Sequence, residues 1–312
     1  MRNPVPQRSA DRSGSQGVTR LRRAGAGGGA GDVTPDLTYC LNIHPGESWE
    51  EQFEAIRTHA LAVRARVARD RTFPLGLRLS AASARTLVEP EQLDAFRRFI
   101  AEEKLAVPTI NAFPFGAFHA VRVKENVYRP DWRAAERARF TCDCAAILAE
   151  LLPERGCGSI STVPVGFAPD FIAASDRELA IDRLIKAALF LARIESATGR
   201  HIVLGLEPEP GCVLETAEQT IGFFDAIFAR AAKDEPAVRR HLGVCLDTCH
   251  AALAFESPSE TWAAFDRAGI DVAKIQISAA LEIRGAPFAA LAALAEPVYL
   301  HQVRVRTTSG AM

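Results

Sequence analysis

Three apolar runs in the second half of the chain end in a side-chain oxygen: His201 to Leu206 meets Glu207, Leu242 to Leu246 meets Asp247, and the run opening at Val272 meets Gln276. A carboxylate on an inward-facing strand is costly to bury without a cation or hydrogen-bond donors, and a metal ion would offset that cost. His250 follows Asp247 closely enough for both to face one cavity, and Gln276 can add a neutral amide oxygen. An oxygen-rich set with at most one imidazole suits Mg²⁺ or Mn²⁺, with Zn²⁺ as the alternative. A lone D-x-x-H says little; the argument rests on successive strands that each end in a ligand oxygen. The competing reading has Glu207 and Asp247 capping loops or pairing with Arg78 or Lys274.

Other polar residues end apolar runs in the same way. Asn42, His44, Arg78 and Asn111 do so in the first half, and with His119, Glu209 and His301 they are the candidate substrate contacts. Glu209 follows Pro208 and can turn inward to substrate or outward to solvent. Of the seven histidines, His44, His119, His250 and His301 follow expected strands, His201 and His241 precede them, and His59 lies on an expected helix. Only the first group can share the carboxyl end of a parallel sheet. Arg133, Arg137 and Arg139 read as a solvated helix face.

Positioning such residues requires repeated strand and helix units. Strands are expected near 37–42, 75–79, 106–111, 158–163, 202–207, 242–247, 272–277 and 298–303, with helices near 48–66, 90–104, 131–152, 176–197, 216–231, 258–268 and 287–294. Alternation of this kind implies a parallel sheet with helices outside it. Ser or Thr three residues before Glu or Gln marks reciprocal helix caps at Ser48/Glu51, Ser175/Glu178, Thr216/Gln219 and Ser257/Glu260, the last with Pro258 at the first helical position. No Gly-rich dinucleotide fingerprint follows the first strand, so an α/β fold of the (β/α)8 TIM barrel type is favoured, with polar strand ends at its carboxyl mouth.

Composition is compatible with one such domain. The chain has 312 residues, 48% hydrophobic and 24% charged, and a barrel of this kind takes about 250 residues. Net charge is −1, which gives no field to attract nucleic acid, and no run approaches the ~20 apolar residues of a membrane span. A cytoplasmic protein is expected. Cys40, Cys157 and Cys245 sit among strand-like residues and read as reduced core thiols. Residues 1–36 are Arg-, Ser- and Gly-rich without a hydrophobic period and read as a disordered leader to a barrel domain at 37–312.

LTYCLNIHPGESW (Leu37 to Trp49) resembles the opening of EboE-type metabolite traffic proteins, a branch of the xylose isomerase-like barrels. The similarity continues through GLRLSA from Gly76, INAFPFGAFHAVRVKENVYRPDW from Ile110, SISTVP from Ser159, LEPEPGC from Leu206, VCLDTCHAALAFE from Val244, KIQISAAL from Lys274 and YLHQ from Tyr299. It implies a divalent-metal site in which Glu207, Asp247, His250 and Gln276 are the ligands, and a carboxylate, Glu207, that moves a proton through an enediol. It also implies a small polyhydroxylated metabolite as ligand and other proteins of the same gene cluster as partners, with catalysis or simple carriage both open. Related proteins continue past YLHQ with a strand bearing a last Glu ligand. The chain is therefore expected to lack the last strand or strands of the barrel.

Overall fold

The computed structural model describes residues 37–116, 124–285, 289, 292 and 302–306. Seven parallel strands follow one another in sequence order: β1 (Tyr39–Cys40), β2 (Phe73–Arg78), β3 (Leu105–Asn111), β4 (Cys157–Thr162), β5 (His201–Leu206), β6 (Leu242–Asp247) and β7 (Asp271–Gln276). Between them lie α1 (Trp49–Ala55), α2 (Leu61–Val67), α3 (Ala81–Leu87), α4 (Pro90–Glu102), α5 (Ala135–Leu151), α6 (Ala174–Thr198), α7 (Ala217–Ala231), α8 (Glu235–His241), α9 (Thr248–Leu253) and α10 (Pro258–Arg267). A π-helical segment, Ile56–Ala60, joins α1 to α2. The β6 residues are all buried, as befits a parallel sheet covered by helices. The sheet curls into a TIM barrel: Asn111 Nδ2, ending β3, donates to Gln276 Oε1, ending β7, at 3.3 Å, and Lys274 Nζ reaches Ser161 Oγ on β4 at 3.3 Å.

The expected central strands hold to within a residue or two. The first differs: β1 is two residues long and passes into a 3-10 turn, Leu41–Ile43. Short helices α3, α8 and α9 were not foreseen, because six or seven residues are too few to display a helical period. The eighth expected strand and the helix near 287–294 fall largely outside the described residues, as do the leader, His119 and His301.

The caps at Ser48/Glu51 and Thr216/Gln219 form with both arms. Helix α6 starts ahead of Ser175, and Asp176 accepts from Ala173 N–H at 3.0 Å instead. Ser257 makes no capping bond; its hydroxyl meets Ser259 Oγ at 3.0 Å, although Pro258 does open α10.

Two expectations about side chains are corrected. Arg137 is fully buried, not solvated: its guanidinium donates to Pro130 O, Ala112 O and Phe113 O at 2.8, 2.8 and 2.9 Å, clamping the loop that leaves β3. Cys157 is exposed because it opens β4 at the sheet's amino end, whereas Cys245 is buried and Cys40 is partly so. Among the described residues, no helix is long and apolar enough to cross a membrane.

Candidate metal centre

Strand β5 ends directly in Glu207, whose N–H continues the sheet by donating to Thr162 O at 3.1 Å. Its carboxyl is buried, and Oε2 has no hydrogen-bond partner. Burial above all, with Asp247 and Glu209 adding repulsion, pushes Glu207 up to about 7 against the pull of His250 and Lys274. Glu209 turns inward, settling the choice its sequence position left open. Its Oε1 accepts from Tyr128 OH at 2.9 Å and from Gln302 Nε2 at 2.7 Å, while its Oε2 is buried without a partner. Burial raises the Glu209 carboxyl as well.

His250 stands between these two acids. Its Nδ1 is 3.1 Å from Pro208 O and 3.9 Å from Glu207 Oε1, and its Nε2 is 3.8 Å from Glu209 Oε1. Because a carbonyl oxygen only accepts, Nδ1 carries a proton, and Nε2 faces Glu209. Burial opposes the ring's charge, yet a hydrogen bond with Cys249 and the carboxylates of Glu209, Glu207 and Asp247 hold it up at about 10.

Asp247 ends β6 and caps α9. Its Oδ1 accepts from Cys249 N–H at 2.9 Å and from the Ser278 hydroxyl, and its Oδ2 lies 3.4 Å from Gln276 Nε2. Gln276 in turn receives the Asn111 amide, which uses its own Oδ1 to accept from Phe113 N–H at 3.1 Å. The curl of the sheet thus joins Asn111, Gln276 and Asp247 in one chain of contacts, and His250 joins Glu207 to Glu209. Ligand atoms of Asp247, Cys249 and His250 lie within 4.8 Å of one another, which adds a thiol that the sequence reading had not selected.

The remaining candidates are engaged elsewhere. Arg78 donates to Gly46 O at 2.7 Å and to Glu47 Oε1 at 3.1 Å, tying the end of β2 to the loop before α1. The His44 ring stacks on His59 with centroids 4.3 Å apart, and its Nε2 lies 2.9 Å from Tyr39 OH. A strand-end histidine and a helix histidine that sequence position had separated are therefore neighbours. Asn42 occupies the 3-10 turn after β1. Tyr128 and Gln302 belong to the centre but were not singled out, although both fall within the long motifs ENVYRP and YLHQ.

The donor set fits a cation. Three carboxylates converge with one imidazole and Lys274, and two of their oxygens are buried without partners. These two oxygens lack a donor among the described side chains, and a divalent cation that displaced the Nε2 proton of His250 would partner them while replacing the imidazolium's charge.

This architecture defines the class: the chain belongs to the xylose isomerase-like TIM barrel family, which matches residues 73–287. Among solved structures it is similar to the probable 3-DHS dehydratase AsbF from Bacillus anthracis, at 13% identity and a TM-score of 0.44, covering 67% of this chain and 64% of that one. It is also similar to the E. coli 3-keto-D-glucoside 4-epimerase YcjR (15% identity, TM-score 0.46, covering 88% and 93%) and to a family 2 AP endonuclease from Brucella melitensis (14%, 0.47, covering 89% and 96%). At these identities the likeness is one of fold. No curated protein matches the chain.

Proposed function

We propose that the barrel mouth binds a divalent cation and a small polyhydroxylated metabolite, and that it interconverts isomers or epimers of that metabolite. Glu207, Asp247 and His250, with Gln276, would hold the ion; their oxygen-rich set favours manganese or magnesium, and Cys249 beside them makes zinc the competitor. When bound, such an ion polarises a carbonyl and its neighbouring hydroxyl. For isomerisation Glu207 would take the proton from the carbon next to the carbonyl and return it to the adjacent carbon, while the hydroxyl proton passes to the carbonyl oxygen; for epimerisation a second acid, the protonated carboxyl of Glu209, would deliver a proton to the opposite face. Glu209, fixed by Tyr128 and Gln302, would receive substrate hydroxyls, and Asn111 would orient the amide of Gln276. The single observation that carries this reading is the pair of buried carboxylates with unpartnered oxygens on either side of His250.

The resemblance to metabolite traffic proteins supports a place in a biosynthetic gene cluster, beside proteins that make or move the same compound. The test combines metal analysis with solvent deuterium exchange into a panel of ketoses and polyols. Wild type should retain a divalent ion that Glu207→Ala loses, and should incorporate deuterium next to the carbonyl. Indifference to Mn²⁺, Mg²⁺ and Zn²⁺ at the mouth sinks the metal reading. Sugar binding without deuterium incorporation replaces catalysis with carriage.

A further inference from the structure

A second group of ligand side chains gathers at the opposite end of the sheet, where the strands begin. His201 opens β5, His241 closes α8 just before β6, and Glu195 lies near the end of α6. Glu195 Oε1 is 3.4 Å from His201 Nδ1 and Glu195 Oε2 is 3.2 Å from His241 Nε2; the two imidazole rings have centroids 5.0 Å apart. One ligand atom from each of the three lies within 4.8 Å of the others.

The tautomers expose a conflict that protein atoms do not resolve. His241 Nδ1 sits 2.8 Å from Ile202 O, and since that carbonyl only accepts, Nδ1 carries the hydrogen. In a neutral ring Nε2 is then a bare lone pair aimed at a carboxylate oxygen. His201 Nδ1 is itself buried with no hydrogen-bond partner. Two imidazoles and a carboxylate whose ligand atoms gather this closely, one ring with its other nitrogen committed to a backbone carbonyl and the other with Nδ1 buried and unpartnered, make up a metal's donor set.

The surroundings fit the same reading. Arg240 grips the carboxylate through Nε to Oε2 at 2.7 Å and a terminal nitrogen to Oε1 at 2.5 Å, fixing its orientation. A ligating carboxylate that is itself hydrogen-bonded, and a ligating histidine whose other nitrogen donates to a backbone carbonyl, are the outer partners typical of metal sites. The charge of Arg240 works against a cation and sets the affinity below that of an all-anionic cage. Each imidazole nitrogen lies about one tetrahedral edge, roughly 3.3 Å for metal bonds of about 2.05 Å, from a different oxygen of Glu195, His241 from Oε2 at 3.2 Å and His201 from Oε1 at 3.4 Å.

We propose that Glu195, His201 and His241 form a structural zinc site, with water as the fourth ligand. It would staple the end of α6 to the start of β5 and to the α8–β6 junction, on the face of the barrel that serves stability, not chemistry. The site is independent of the barrel mouth, and so is its test. In the full chain carrying Glu207→Ala, Asp247→Ala and His250→Ala, which removes the two carboxylates and the imidazole of the mouth, chelator-treated protein is titrated with Zn²⁺ alone and metal content is measured after gel filtration. One zinc per chain should remain, with a saturable rise in melting temperature, and Co²⁺ in its place should give the visible absorption of a tetrahedral centre. Adding His201→Phe should weaken zinc binding at least tenfold while leaving the metal-free melting temperature near that of its parent. Glu195→Gln should do the same and guards against misfolding of the first variant. Zero zinc in the mouth-deleted chain, or zinc binding unchanged by both further substitutions, overturns the proposal and leaves a buried imidazolium–carboxylate pair in its place.

Discussion

Two glycines should respond to alanine in opposite directions. Gly243 on β6 pairs with Asp271 on β7, and a methyl group there would stand 2.4 Å from Asp271 O and 3.3 Å from Val203 Cγ1. Carbon and backbone oxygen need about 3.3 Å, so one strand must yield by roughly 1 Å, a fifth of the spacing between strands. The obstacle is backbone and cannot rotate away, which places Gly243→Ala in the upper part of the ~1–3 kcal/mol range for overpacking. For a domain of this size, a loss of about 2–3 kcal/mol lowers the melting temperature by about 4–12 °C. Because β7 carries Gln276 and Lys274, metal affinity at the mouth should fall with it. Gly222 on α7 is exposed, and a methyl there meets nothing within 4 Å. Alanine at that helical position should stabilise by about 0.5–1 kcal/mol, raising the melting temperature by about 1–4 °C. Thermal melts of the two variants with metal titration check both signs. A Gly243→Ala protein that melts within a degree of wild type and binds metal normally refutes the packing argument.

Tyr128→Phe keeps the ring between Phe113 and Phe167 but removes a donor to the buried Glu209. A loss of about 1.5–3 kcal/mol by chemical denaturation is expected, and an unchanged midpoint would show that Gln302 alone suffices. The surface pair of Asp182 with Arg230 links α6 to α7, and Arg230's hydrogen bonds hold the Asp182 carboxyl below its ordinary value. Its contribution is therefore present above the ordinary carboxylate pKa and is lost as pH falls through the lowered one. Asp182→Asn should cost less than about 1 kcal/mol at pH 7 and progressively less as the pH falls through the lowered value; a cost that grows on acidification contradicts the assignment.

The central barrel was legible because β5 and β6 are nearly continuous apolar runs that end in a carboxylate, as strands buried on both faces read. Glu207, Asp247 and His250 were legible for the same reason: each stands where such a run stops. The partners that complete the site were not. Tyr128 reaches Glu209 from a segment with no periodic pattern, and Cys249 becomes a neighbour only because Asp247 caps a helix too short to announce itself. Arg137 was misread because helical spacing records which residues share a face and not what covers it. Three carbonyls, two from the loop after β3 and one just before α5, make that face an interior one.

Gln302 touches Tyr128 OH across 174 residues of chain and secures Glu209 in the same reach. Arg304 and Arg306, at alternate positions beyond it, hold Glu215 and Phe255. During synthesis from the amino end, Glu209 therefore emerges long before its second donor, and the mouth gains its Gln302 contacts only after β5, β6 and β7 have left the ribosome. Closure of so long a loop is repaid by a handful of side-chain bonds, so this segment should open at far lower cost than the strands beneath it. Hydrogen exchange would then show residues 302–306 opening ahead of β5, β6 and β7, with the hydrogen bonding of Glu209 coupled to that opening.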